Sequence, residues 1–262
     1  MTPILSVRDL EKTFGNVVAA RDISLEVPPQ QTVGIIGANG AGKTTFVNMI
    51  TGHLRPSKGS ITFEQRDIIG LPSRAITRLG ISRSFQVAQI FPSMNVLDNL
   101  CAAAAIARGS DGVLGAMTPL RSPQTLAEAE ALIELFQIAR FRDSRAATLP
   151  QGVRKLLDIG MAVASWPRLL LLDEPTSGIS IEEKFDIMDV VMSALRNRKI
   201  TVLFVEHDME IVARFAERVL AFYEGTLIAD GTPDRTLSDP RVQMLIGGAK
   251  VKLAVLPRAA DA

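Results

Sequence analysis

The sequence predicts an α/β protein whose core comes from two separated pieces of chain, with a helical segment inserted at about 87–165. Three observations carry this. The short apolar run Thr32 to Ile36 enters a glycine-rich turn, and Thr44 to Thr51 can then be a helix, stopped by Gly52. Leu169 to Leu172 and Val202 to Val205 are continuous apolar runs, as expected of parallel strands buried on both faces. Between these pieces, from Val96 to about Phe141, the composition shifts to alanine, leucine and glutamate.

The remaining elements follow from local pattern. Ile4 to Leu10 alternates apolar and polar like a half-buried strand, and Ile23 to Val27 repeats this before the break at Pro28-Pro29. Gly59 to Phe63 reads as a further strand. Leu126 to Ile138 carries apolar residues at helical spacing, Leu132, Leu135 and Phe136 among them. Gly109 to Pro123 is rich in Gly, Ser and Pro and reads as a surface loop or insertion. The stretch from Ala249 to Ala262 has weak patterning and is expected to be a flexible tail.

Of the 262 residues, 47% are hydrophobic and 22% charged, a balance that excludes a disordered chain. Lys plus Arg total 29 and Asp plus Glu 28, a net charge of +1, so there is no global pull toward nucleic acid or acidic lipid. The longest apolar stretch, Leu100 to Ala107, falls far short of the roughly 20 residues that span a bilayer. Met1-Thr2-Pro3 opens without a charged region followed by an apolar one, so no secretory leader is expected. The single cysteine, Cys101, excludes an internal disulfide and is expected to be buried as a small apolar side chain.

The chemistry begins at Gly37-Ala38-Asn39-Gly40-Ala41-Gly42-Lys43-Thr44, which fits G-x-x-x-x-G-K-[ST] without a mismatch. It follows an apolar strand and opens a helix, the context the motif needs. Its glycines let backbone N–H groups turn toward phosphate oxygens, and the helix N-terminus adds partial positive charge. Lys43 is placed to reach the β- and γ-phosphates, and the hydroxyl of Thr44, followed by Thr45, to ligate Mg²⁺. The strand Leu169 to Leu172 ends in Asp173-Glu174, putting a carboxylate at the sheet edge where α/β proteins bind ligands. Taken alone, this pair reads equally well as a strand cap or as a metal ligand and general base. With the Lys43 loop upstream the second reading prevails, Asp173 holding Mg²⁺ and Glu174 polarising water.

Further motifs lie in a fixed order around these two. Gln86 stands in Ser84-Phe85-Gln86, Asp173 and Glu174 continue into Pro175-Thr176-Ser177, and His207 stands in Val205-Glu206-His207-Asp208. Over about 4–248 the chain resembles the ATP-binding subunit of an ABC transporter. The resemblance implies a P-loop NTPase core at 1–86 and 166–248, a helical subdomain at 87–165, and an antiparallel β portion near the N-terminus. It implies Gln86 as the Q-loop glutamine touching Mg²⁺ or the attacking water, His207 as the switch histidine at the γ-phosphate, and Phe14 as the ring stacked on adenine. ATP and Mg²⁺ are the implied cofactors. The implied partners are transmembrane permease subunits, a second ATPase subunit and, indirectly, a periplasmic or extracellular binding protein, at the cytoplasmic face of the membrane. No nucleic acid is expected.

Arg83-Ser84-Phe85-Gln86, Ile90-Phe91-Pro92, Glu206-His207-Asp208-Met209 and the ending through Leu245-Ile246-Gly247 resemble the ATPases of branched-chain amino acid, urea and short-amide uptake. Asp158-Ile159-Gly160-Met161 resembles the urea-type subunit, and the insertion at 109–123 suits the G-type subunit of that branch better than the F-type. A lipopolysaccharide-export ATPase is the alternative within the family; a non-transport ATPase is a more distant one. Phe85, Val87, Ile90 and Phe91 either line a groove for a permease helix or form an internal core. Arg74, Arg78 and Arg83 read as a basic cluster on a solvated face.

The family signature Leu-Ser-Gly-Gly-Gln aligns with Leu149-Pro150-Gln151-Gly152-Val153, of which only Leu149 and Gly152 agree. Pro150 removes a hydroxyl and an N–H that would face the partner's γ-phosphate, and Gln151 adds bulk at a close approach. Ser180 stands where the family usually has Asp or Asn. These departures read either as a heterodimer with two unequal ATP sites or as drift at a position where this branch already varies.

Overall fold

The computed structural model describes residues 2–84, 89–108 and 119–246. They fall in two compact units, one drawn from 1–79 and 200–262, the other from 80–199. The expected loop at 109–123 lies largely outside the described residues, as do the tail at 249–262 and Phe85, Gln86 and Val87.

In the first unit, β1 (Leu5–Phe14) pairs antiparallel with β2 (Val17–Val27) and with β4 (Lys58–Phe63), which carries the short β5 (Arg66–Asp67). This is the antiparallel portion implied for the N-terminus. The pairing is irregular: the β1/β2 register shifts between Val7 and Leu10 and again beyond, and Asp9 has φ 48°. These shifts let the strand continue past Leu10, where alternation stops, so β1 and β2 both run further toward their connecting turn than their apolar patterns indicate.

The same unit holds β3 (Thr32–Gly37), flanked in parallel by β8 (Thr201–Val205) and β9 (Arg218–Tyr223), with β10 (Thr226–Gly231) antiparallel to β9. All residues of β3 and β8 are buried, as their continuous apolar runs require. After β3 comes α1 (Lys43–Ile50), whose Phe46 ring lies 5.3 Å from that of Phe222 on β9. Gly52, at φ 72°, stands just past the end of that helix, the residue expected to stop it. Arg218 makes a two-pronged ion pair with Asp230 across β9 and β10, both contacts at 2.6 Å.

In the second unit, β6 (Ile81–Ser84) runs parallel to β7 (Leu169–Asp173), with Arg83 opposite Leu171. Helix α3 (Val96–Ala107) packs against α4 (Pro123–Leu135) and α5 (Gln151–Val163). Asn95 caps α3 by accepting the Asp98 N–H, and Ser122 caps α4 ahead of Pro123 at its first turn. Pro123 therefore opens a helix and does not close a loop. The helix expected to reach Ile138 stops at Leu135, because Gln137 takes the left-handed conformation at φ 57°. Ile138 is still buried, packed from the following turn. After β7 comes α6 (Lys184–Asn197).

Cys101 on α3 is fully buried, as expected, and burial, followed by the negative charge of Asp98, pushes its thiol above the usual range. The folded protein should react with a thiol reagent such as DTNB only on the time scale of unfolding. Fast stoichiometric labelling under native conditions would contradict this packing. Among the described residues no helix is long and apolar enough to cross a membrane.

Candidate functional site

The first unit carries the glycine-rich loop Gly37 to Thr44, and its geometry is set by backbone contacts. At Gly37, φ is 157° and a Cβ would stand 2.5 Å from the Phe222 carbonyl oxygen. At Gly42, φ is 97° and a Cβ would stand 2.8 Å from the Ala19 carbonyl oxygen. Both positions exclude a side chain, so the loop lies tightly on β9 and β2 while Ala38, Asn39 and Gly40 remain exposed. Ala41, Gly42 and Lys43 are buried, Thr44 is exposed, and Thr45 is half-buried. Gly42 serves as N-cap of α1 with no side-chain cap, and no acidic residue lies in the helix's first turn. The helix therefore presents its N-terminal N–H groups and partial positive charge to the loop.

Lys43, 6% exposed, folds back over its own loop. Its ammonium donates to the carbonyl of Gly37 at 2.7 Å and to that of Ala38 at 2.9 Å. Those carbonyls hold the cation at the loop, where a phosphate would bind. Phe14, at the end of β1, is 51% exposed, with the Lys12 ammonium 4.9 Å from its ring centroid. The ring faces solvent and not the core, as stacking on a base requires.

His207 is exposed in the turn between β8 and α7 (Met209–Phe215). Two carboxylates shape that turn. The buried Glu206 accepts the His207 N–H at 3.1 Å, and Asp208 caps α7 by accepting from Glu210 and Ile211.

In the second unit, Asp173 ends β7 and Glu174 follows with φ 47° before Pro175. A non-glycine residue in this conformation costs of order 1–3 kcal/mol, and such strain concentrates at functional positions. Asp173 is engaged by Arg83, whose guanidinium lies 2.6 Å from its carboxylate. The side chains are 8% and 17% exposed, so Arg83 does not belong to a solvated basic face, whereas Arg74 and Arg78 are exposed on α2 (Ser73–Leu79). The pairing follows from strand register. Arg83 sits opposite Leu171, and Asp173, two residues on, shares its face of the sheet. Composition gave no sign of this contact; the parallel register of β6 on β7 creates it.

Leu149 is buried, Pro150 and Gln151 are exposed, and Gly152 is buried against Ile187 of α6. Pro150 is the N-cap of α5 and gives it no side-chain cap, so the position of the family's serine contributes neither hydroxyl nor N–H. Gln151 reaches the turn after β7, its amide nitrogen 3.5 Å from where a Cβ on Gly178 would lie. Ser180 donates to the Glu183 carboxylate at 3.0 Å and accepts the Glu183 N–H at 3.3 Å, closing a turn ahead of α6.

Asp158, buried on α5, accepts the backbone N–H of Gln89 at 2.7 Å and so ties that helix to the chain just past 85–88. The buried Asn99 brackets Phe91, donating to its carbonyl and accepting its N–H, and leaves the Phe91 ring partly exposed. Among the described residues no group of three or more His, Cys, Asp or Glu side chains could cage a metal. The Thr44 hydroxyl in the first unit and the Asp173 carboxylate in the second are each hard oxygen donors, the ligand type Mg²⁺ takes.

The ABC transporter family model matches residues 20–177. The high-affinity branched-chain amino acid transport ATP-binding protein LivG of Escherichia coli K12 is 32% identical over 248 residues, 92% of this chain and 96% of LivG. The lipopolysaccharide export system ATP-binding protein LptB of Haemophilus influenzae is 34% identical over 250 residues, 95% of this chain and 99% of LptB. Among solved structures, MJ1267, an ATP-binding cassette of an ABC transporter, superposes with a TM-score of 0.83 at 29% identity, over 94% of this chain and 99% of its own. With its motifs in order, its phosphate loop folded tightly behind Lys43 and the family model covering more than half its length, the chain belongs to the ABC transporter family as an ATP-binding, ATP-hydrolysing subunit.

Proposed function

We propose that this subunit powers an importer of branched-chain amino acids or related amino acids and amides. It would act at the cytoplasmic face of the membrane with transmembrane permease subunits and a second, non-identical ATPase subunit. A periplasmic or extracellular binding protein would deliver the substrate. The ATPase part rests above all on the loop in which Gly37 and Gly42 admit no side chain and Lys43 is held at the phosphate position. The import part is supported by the likeness to LivG along 92% of the chain.

In this mechanism Phe14 stacks on the adenine, and the Lys43 ammonium exchanges the Gly37 and Ala38 carbonyls for β- and γ-phosphate oxygens. The backbone of Asn39 to Thr45 surrounds the phosphates. Thr44, Asp173 and Gln86 hold Mg²⁺, which neutralises charge on the phosphate oxygens when bound. Glu174 takes the proton of the attacking water, and His207 keeps that water and the γ-phosphate in line. Signature residues Leu149 to Gly152 serve the other subunit's ATP. With Pro150 and Gln151 in place of the usual Ser and Gly, that service is weak, and the two ATP sites are unequal.

The likeness to LptB, 34% identity over 95% of the chain, favours lipopolysaccharide export as the second reading. Uptake in a strain lacking the gene decides between them. Radiolabelled leucine, urea and short-amide uptake should include at least one transport activity that falls to background. The wild-type gene should restore it and the Lys43→Ala form should not. Unchanged uptake of all three, with lipopolysaccharide accumulating at the inner membrane, would establish the export reading instead.

A further inference from the structure

We propose that Arg83 is a built-in counter-cation of Asp173 that a divalent metal must displace, so that Arg83 sets how tightly the protein holds metal–nucleotide. This rests on the reading of Asp173 as the carboxylate that holds Mg²⁺. Three observations carry it. The contact is short, 2.6 Å between guanidinium nitrogen and carboxylate oxygen, a charge-assisted hydrogen bond. Both side chains are largely removed from water, at 8% and 17% exposure, where an acidic group left without a cation is costly and screening is weak. The pairing is also built into the sheet. Arg83 lies opposite Leu171 in the β6–β7 ladder, on the same face as Asp173, so the guanidinium cannot drift away as a surface side chain could.

A carboxylate oxygen engaged at 2.6 Å by guanidinium is not open to a metal ion on that side, and a dication brought to Asp173 would stand beside a fixed positive charge. Metal entry therefore requires Arg83 to give up Asp173 or to share it. Without metal, Arg83 keeps the carboxylate neutralised and in place. Removing the arginine charge should raise metal affinity, while loss of a purely structural ion pair would leave it unchanged or lower it.

The test uses the full chain with ADP and Mn²⁺, free Mn²⁺ being read by electron paramagnetic resonance. Metal-free binding of a fluorescent ADP analogue is measured in parallel. Arg83→Gln is expected to bind Mn²⁺ with ADP at least tenfold more tightly than wild type, with metal-free nucleotide affinity changed less than threefold. Asp173→Asn is expected to weaken Mn²⁺ binding, and adding Arg83→Gln to it should give no gain. Arg83→Lys keeps the cation but loses the planar fork. It should shift Mn²⁺ affinity in the same direction by a smaller factor, and it carries the test if Arg83→Gln does not fold. Unchanged or weaker Mn²⁺ binding in the folded Arg83 variants, with Asp173→Asn still weakened, would overturn the proposal and leave Asp173 as a ligand. An Asp173→Asn protein with wild-type Mn²⁺ affinity would overturn the ligand reading itself, and the proposal with it.

Discussion

Glu174→Gln should lower steady-state ATP hydrolysis by about 10²- to 10⁴-fold, the range expected when a general base is removed. Glutamine matches the size of glutamate and can still orient a water, but it cannot take the proton. Nucleotide binding should therefore survive, and a fluorescent ATP analogue should bind with close to wild-type affinity. The backbone supports this choice of residue: Glu174 is held at φ 47° directly after Asp173, a conformation that fixes where its carboxylate emerges. The same variant tests the inequality of the two sites. On the proposed pairing of this chain's loop with the partner's signature in the productive site, Glu174→Gln should remove nearly all turnover in the complex of the two ATPase subunits. On the same proposal, glutamine at the partner's equivalent carboxylate should remove little, that site being the one served by Pro150 and Gln151. Equal losses from the two substitutions would disprove the asymmetry.

Gly37→Ala should damage both stability and nucleotide binding. Its Cβ would stand 2.5 Å from the carbonyl oxygen of Phe222 and 3.0 Å from the Ala41 Cβ. Neither the β9 backbone nor the loop can yield without breaking the β3–β9 ladder, in which Gly37 itself pairs with Phe222. Overpacking of this kind costs typically 1–3 kcal/mol and occasionally more, or roughly 2–4 °C in melting temperature per kcal/mol for a chain of this size. The loop must also move off its phosphate-binding position, so nucleotide affinity should fall by about 100-fold, near 2.7 kcal/mol. Thermal unfolding and equilibrium nucleotide binding check the two effects separately. Wild-type values for both would mean that the loop does not rest on Phe222.

The second unit's pairings were less legible than the loop. Arg74, Arg78 and Arg83 look alike in sequence, but Arg83 alone enters a short strand whose parallel register brings it to Asp173. Apolar spacing continues through Ile138, past the end of α4, because the helix is stopped by the left-handed Gln137. Apolar periodicity reports which residues are buried, and both Phe136 and Ile138 are buried from outside the helix. The signature departure, by contrast, was legible residue by residue. Proline removes a donor wherever it stands, and Pro150 is the N-cap of α5.

Sequence alone determined the elements whose signals are local and steric: β3 with its glycine loop, the helix that follows it, expected over Thr44 to Thr51 and found at Lys43–Ile50, and the buried strands β7 and β8. In each, a few adjacent residues dictate the backbone, through glycine's positive φ, the missing helix cap or the unbroken apolar run. Tertiary structure alone decided the irregular continuation of β1 and β2, the exposure of Phe14 and the burial of Arg83 against Asp173. The first two depend on register within the β1–β2 hairpin and the third on register between β6 and β7, far apart in sequence; a shift of one residue in either turns each side chain to the opposite face.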